Sequence, residues 1–143
     1  MKSSTDAGLA SELRPSLLRL ARLMRAQRAN TSVSLTQMST LSTLYRSGPT
    51  SAGELAALEY VQPPTMTRVI ANLEQRGLVQ RAAHPIDRRQ TIVALTPAGR
   101  RLLDAERRSR DAWLEGRLAT LSGAEKELLR QAVPILERLA TNS

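Results

Sequence analysis

The chain has no cysteine and no phenylalanine, one histidine (His84), one tryptophan (Trp113), two tyrosines and two lysines, Lys2 and Lys126. Each scarcity removes a class of chemistry. Without cysteine there is no disulfide, no thiolate metal site and no thiol-based redox sensor. An isolated histidine offers no cluster to hold zinc, so neither a metal nor a cofactor is expected. With Tyr45, Tyr60 and Trp113 as the only rings, the stacking platforms that single-stranded nucleic acid requires are missing. No apolar run approaches the length of a bilayer span, and the N-terminus lacks the apolar core of a signal peptide, so a cytoplasmic protein is expected. Neither a nucleophile–base pair nor a carboxylate dyad forms a local constellation, and the helical carboxylates alternate with arginines as surface pairs do. An enzyme is not expected.

What the chain does have is arginine: 19 of its 21 basic residues, against 13 acidic ones, for a net charge of +8 and a pI near 11.3. Such a balance points to a polyanionic partner. The distribution is more informative than the sum. Residues 1–60 carry seven basic and four acidic groups, residues 61–101 seven and two, and residues 102–143 seven of each. The net charges are therefore +3, +5 and zero, so the excess peaks in the middle of the chain. At 143 residues, 41% hydrophobic and 24% charged, the chain is long enough for one globular domain with a real core.

The stretch Gln62–Gln90, inside that middle segment, has the clearest pattern. Pro63 and Pro64 suit a first helical turn, where amides have no intrahelical partner. Met66, Val69, Ile70 and Leu73 then recur at helical spacing, and Gly77 stands where a C′ glycine stops a helix. The opposite face carries Pro64, Arg68, Ala71 and Gln75, flanked by Thr65, Thr67 and Asn72. That face is small, polar and singly cationic, suited to a major groove and able to hydrogen-bond base edges. Leu78–Ala82 and Thr91–Leu95 have strand composition, and the turn between them, His84–Arg89, ends on Arg88 and Arg89. A helix followed by a hairpin with a basic tip is a winged helix, whose wing lies over a minor groove. The bland reading is a helix and hairpin of any α+β domain with its arginines solvated.

The flanks supply helices. One is expected from about Leu9 to Ala29, after a frayed start over residues 1–8, with Arg19, Arg22, Arg25 and Arg28 as a basic stripe. Ser34-Leu-Thr-Gln37, Ser51-Ala-Gly-Glu54 and Ser122-Gly-Ala-Glu125 read as capping boxes opening three more. The first should bury Leu35, Met38, Leu41 and Leu44, and the second Leu55 and Leu58. Glu59-Tyr60-Val61 makes the tight joint of a helix-turn-helix. Thr96-Pro97 starts a helix that should run to about Ala119, and Pro134 is expected to kink the last one. These outer helices carry more apolar surface than a small winged helix can bury. Two copies interlocking by their ends is the simplest outcome; folding back as a monomer is the alternative.

Taken in order, the residues resemble the MarR (multiple antibiotic resistance regulator) family of bacterial transcription regulators. The resemblance rests on Leu35-Thr36 through Leu44, Gly48, Glu54-Leu-Ala56, Thr65-Met-Thr-Arg-Val69, Leu73-Glu74, Gly77-Leu-Val79, Arg81, Asp87-Arg-Arg89 and Leu95-Thr-Pro-Ala-Gly-Arg100. It implies a mainly α (α+β) fold: a winged helix-turn-helix module at 34–96, with residues 1–33 and 97–143 forming the dimerisation helices of a homodimer. It implies a recognition helix over 63–76 and a wing over 84–90, in which Asp87 orients Arg89 toward the minor groove while Arg88 meets phosphate. It also implies release by a small aromatic acid or phenol, for whose carboxylate Arg14, Arg22 and Arg25 are candidates by position.

The expected function is therefore sequence-specific binding of double-stranded DNA at a pseudo-palindromic operator, as a repressor rather than an activator. The expected DNA contacts are Gln62, Pro64, Thr65, Thr67, Arg68, Asn72, Asp87, Arg88 and Arg89. The rival reading is a winged-helix module that docks protein instead of DNA.

Overall fold

The computed structural model describes residues 2–29 and 32–141 and divides into two units, one of residues 28–108 and one of residues 1–27 with 109–143. In chain order the elements are α1 (Lys2–Ala26), α2 (Leu35–Ser47), β1 (Thr50–Ser51), α3 (Ala52–Leu58), α4 (Pro63–Gln75), β2 (Val79–Ala83), β3 (Thr91–Leu95), α5 (Pro97–Leu118) and α6 (Gly123–Thr141). The strands form one antiparallel sheet in the order β1-β3-β2. Helices and a small sheet in this order make a winged helix.

The central unit begins at a capping box. Ser34 Oγ accepts from Gln37 N at 3.1 Å, while Gln37 Oε1 accepts from Ser34 N at 3.0 Å. From there α2 buries Met38, Leu41 and Leu44, but Leu35 is 58% exposed. The expectation that Leu35 would be buried fails for a geometric reason. Residues spaced by three drift about 60° per step at 100° per residue, so the four leucine and methionine positions fan over half the helix. Leu58 on α3 is exposed in the same way, while Leu55 and Ala56 face inward.

Both helices of the helix-turn-helix end in the same chain reversal. At the end of α3, Val61 N donates to Ala56 O and Tyr60 N to Ala57 O. At the end of α4, Leu78 N donates to Leu73 O and Gly77 N to Glu74 O, each at 2.9 Å. These paired bonds satisfy carbonyls that a helix end leaves open, and they require a left-handed residue at C′. Gly77 takes it readily at φ +73°, whereas Tyr60 adopts φ +54° despite its side chain. A polar clasp seats the first of the two helices on α2: Glu59 accepts the hydroxyls of Ser39, at 2.7 Å, and Thr43.

The core fills the space between α2, α3, α4 and the sheet, with Leu41, Leu55, Met66, Ile70, Leu73 and Val93 essentially inaccessible. Each such side chain contributes roughly 1.5–3 kcal/mol relative to exposure. Strand β3 pairs with β2 from Val79↔Leu95 to Ala83↔Thr91. It also pairs with the two-residue β1 at Thr50↔Val93 and Ser51↔Ile92, a strand too short to leave a period in the sequence. Strand β2 starts one residue later than its composition suggests, because Leu78 belongs to the helix reversal. The start of α5 packs on α2 through cations: Arg107 lies 3.9 Å and Arg100 5.8 Å from the centre of the Tyr45 ring.

In the other unit, α1 begins at Lys2 rather than near Leu9 (residue 1 lies outside the described residues). Polar residues prolong an exposed helix easily, since each adds one hydrogen bond once the nucleus exists. Helix α6 opens with the reciprocal Ser122–Glu125 box, at 3.1 and 3.0 Å, and continues through Pro134 to Thr141. Among the described residues of this unit none is buried.

Gly99, on the first turn of α5, marks the tightest approach. A Cβ there would lie 2.2 Å from the Leu78 carbonyl oxygen, which is backbone and cannot yield. We expect Gly99→Ala to destabilise the central unit by about 3 kcal/mol, the upper end for overpacking, measured by urea denaturation. A midpoint equal to wild type would show that α5 does not bear on Leu78 so closely.

Candidate nucleic-acid interface

Helix α4 is amphipathic in the expected sense. Met66, Ile70 and Leu73 are buried and Val69 half-buried, while Pro64, Thr67, Arg68, Ala71, Asn72 and Gln75 are exposed and Thr65 is half-buried. Gln62 is the N-cap residue, yet its side chain makes no capping bond, and Pro63 and Pro64 occupy the first two helical positions. Its amide is thus left to reach outward from the helix entry.

The polar groups on the outer face differ in how free they are. Arg68 makes no ion pair among the described residues. Thr67 donates its hydroxyl to Pro63 O at 3.0 Å, so its oxygen can act toward a ligand only as an acceptor. Asn72 Oδ1 accepts from Gln37 Nε2 at 2.8 Å. The same Gln37 caps α2, so Asn72 is held with its amide NH2 to spare. Nothing in the sequence signalled that tie.

Two arginines that the sequence leaves indistinguishable from contact residues are structural. Arg81 on β2 grips Glu74 on α4 with two bonds, Nε to Oε2 at 3.1 Å and Nη2 to Oε1 at 2.8 Å. That hydrogen bonding holds the Glu74 carboxyl below, and the Arg81 guanidinium above, their ordinary pKa values. Arg76, at the end of α4, donates to Ser32 O at 2.7 Å and Ser32 Oγ at 2.6 Å. Helix α4 is therefore braced from the strand side and from the segment before α2.

The loop between β2 and β3 is a network rather than a loose tip. His84 N donates to Gln90 O at 3.1 Å and Gln90 N to Asp87 O at 3.0 Å, which closes the turn. Asp87 Oδ1 accepts from Arg89 N and Arg89 Nε, both at 3.1 Å. The Arg89 side chain, then its backbone amide, holds the Asp87 carboxyl below its ordinary pKa. Even so, the Arg89 side chain is 92% exposed, and Arg88 and Ile86 are exposed beside it. A shallow open hollow on the hairpin is lined by Arg81, Ala82, Ala83, Arg88, Gln90 and Thr91.

Arg14, Arg22 and Arg25 are exposed along α1, in the other unit, and make no ion pair among the described residues. The structure brings Asp87 and Arg89 into contact and places Pro64, Thr65, Thr67, Arg68 and Asn72 on one helix, with Gln62 at its N-cap. What the sequence reading missed is that His84 Nδ1 accepts from the Ile86 and Asp87 amides, at 3.1 and 3.0 Å; its only signal was its position before Pro85 in the turn.

The model of the MarR family matches residues 33–91 of this chain. An HTH-type transcriptional regulator of Mycobacterium bovis is 45% identical over 97% of both chains. A solved Pseudomonas aeruginosa protein assigned to transcriptional regulation is 32% identical, with a TM-score of 0.87 over 98% of each chain. The HTH-type transcriptional repressor NicR of Pseudomonas putida is 36% identical over 65% of this chain and 59% of its own length.

The depressed Asp87 value has a sign that can be checked. A lowered carboxylate stabilises its contacts above its usual range and loses them only as the pH falls through the lower value. In an NMR titration Asp87 should stay ionised below the ordinary midpoint of about 3.9. Arg89→Ala should move its midpoint part of the way back up, since the backbone amide remains. An unmoved midpoint would mean that the two side chains are not joined in solution.

Proposed function

The chain belongs to the MarR family of HTH-type transcriptional regulators, and from that membership we propose how it works on DNA. Two copies pair through residues 1–33 and 97–143, and each presents its module of residues 34–96 to one half of a pseudo-palindromic operator. The solvent face of α4 enters the major groove, and the wing lies over the adjoining minor groove. Half-sites are then about 10 bp apart. The regulator acts as a repressor, and a small aromatic acid or phenol releases it.

The observation that carries this reading is a braced helix and wing whose outward arginines have work left to do. Arg68 has no ion-pair partner among the described residues, and Arg89 is oriented by Asp87 yet almost wholly exposed. In the complex Arg68 bridges guanine O6 and N7, worth about 1–3 kcal/mol of discrimination. Gln62, Thr65, Thr67 and Asn72 supply neighbouring base and phosphate contacts, and Pro64 offers an apolar surface to a thymine methyl. Arg88 and Arg89 contribute affinity that is salt-dependent and largely indifferent to sequence.

Pairing is supported by apolar surface that one chain leaves open. Leu128, Leu129, Val133, Leu136 and Leu139 on α6 are 38–67% exposed, as are Leu9, Leu17 and Leu18 on α1, at 39–62%. An apolar surface this extensive marks an interface, and a second copy supplies matching helices. The repressor assignment draws on the likeness to NicR. For the effector, Arg14, Arg22 and Arg25 provide cations for a carboxylate. Reversing the switch decisively requires about 5.5 kcal/mol of preference between the two dimer states.

Sedimentation of the purified protein and titration against a labelled duplex flanking its own gene test the scheme together. A dimer that binds with a steep salt dependence is expected. A monomer that ignores the duplex at about 50 mM salt would overturn it. Arg89→Ala should weaken binding to every sequence and lower the salt slope by about one unit. Arg68→Ala should instead relax the preference at one base pair per half-site in binding-site selection. Leu136→Arg should give monomers and lower operator affinity by at least about tenfold.

A further inference from the structure

We propose that neutral His84 is the positioning residue of the wing: its Nδ1 holds the turn that places Asp87, and through Asp87 it aims Arg89. The proposal rests on the DNA-binding reading above and adds a residue and a pH response to it. His84 Nδ1 accepts from Ile86 N at 3.1 Å and from Asp87 N at 3.0 Å. Asp87 then turns its Oδ1 back onto Arg89 N and Nε. A continuous path of hydrogen bonds thus leads from the end of β2 to the guanidinium at the tip. The backbone of His84 closes the same loop from the other side by donating to Gln90 O.

An imidazole can do this only with its proton on Nε2, leaving the Nδ1 lone pair for the two amides. Protonation makes Nδ1 a donor facing two donors, so the turn must open. Imidazole is the side chain whose charge ordinarily changes between pH 5 and 8, and His84 is the sole histidine. The charged groups around it pull in different directions. Asp87 on the same loop attracts an imidazolium, whereas Arg88 and Arg89 on the loop and Arg81 on β2 repel one. Glu74 of α4 is already committed to Arg81, and Gln90 on the loop and Thr91 at the start of β3 are uncharged.

The consequence runs against simple electrostatics. A protein of net charge +8 that gains another positive charge at its DNA-facing tip should bind DNA more tightly in acid. Loss of the Nδ1 acceptor predicts weaker binding instead, because Arg89 is no longer aimed. The sign of the pH response therefore separates a positioning histidine from one that is merely cationic.

The test is fluorescence anisotropy of the full chain with a labelled duplex flanking its own gene, at constant salt, from pH 8 to 5.5. In parallel, NMR follows the Ile86 and Asp87 amides and the Arg89 Nε–H without DNA. Wild-type affinity should fall about tenfold on acidification, the scale of two lost hydrogen bonds. His84→Asn, whose side-chain oxygen can accept in place of Nδ1 and does not titrate, should restore binding near the wild-type pH 8 value and keep it at both pH values. His84→Ala should bind weakly throughout while its thermal midpoint stays close to that of His84→Asn. Affinity that holds or rises in acid, or His84→Ala matching wild type at pH 8, would overturn the proposal. If the protein ignored the duplex while the three NMR signals shifted together in wild type but not in His84→Asn, the positioning role would stand and the DNA reading would fall. If those signals stayed still as well, both would fall.

Discussion

The central unit depends on the knot where α4 ends and α5 begins. Leu78 N bonds back to Leu73 O in the helix reversal. Its carbonyl accepts from Thr96 N at 3.1 Å, and Gly99 rests against the same oxygen. Thr96 completes the knot from the other strand, donating its hydroxyl to Gly77 O at 2.6 Å and accepting from Gly99 N at 3.1 Å. One left-handed glycine, one threonine and one glycine without room for a methyl thereby join α4, both strands of the hairpin and the first turn of α5. Any displacement of α4 relative to the hairpin has to break several backbone bonds together.

Stability is distributed unequally between the two units. Among the described residues every buried hydrophobic side chain lies within residues 28–108, where helices and sheet enclose a continuous core. The described helical segments of the other unit are amphipathic yet bury nothing within one chain. Their exposed apolar surface would be a liability in a monomer.

Arginine serves four purposes in this structure. Arg81 and Arg76 brace α4 through a carboxylate and through Ser32. Arg107 stacks on Tyr45, and Arg117 lies 5.1 Å from the centre of the Trp113 ring on its own helix. Arg89 is aimed by a carboxylate, and Arg68 projects without an ion-pair partner among the described residues. A planar guanidinium with five donors can fill each role, which lysine's point charge cannot. A net charge alone, however large, therefore overstates the cations available to a polyanion.

The order of elements, the buried stripe of α4, its glycine stop and the threonine-proline start of α5 were all legible in the amino-acid sequence. Each is local, decided by spacing along one helix or by the chemistry of one residue at a helix end. The ordered motifs of residues 34–101 were legible too, and they implied the winged helix before its geometry was known. Exposure of Leu35 and Leu58, the two-residue strand at Thr50 and the start of α1 at Lys2 were not, because helical spacing of three drifts and short or solvated segments carry no period. Still less visible were the Gln37–Asn72 tie, the Glu74–Arg81 brace and the seat of His84 over two amides. Those partnerships join residues that are 35, 7 and two or three positions apart. Their side chains are polar, and polar side chains become specific only when a fold presents one partner to another within about 3 Å. Sequence alone determined which segments coil, pair and turn; tertiary structure decided which of many like-charged groups are spent holding the frame and which are left exposed on its surface.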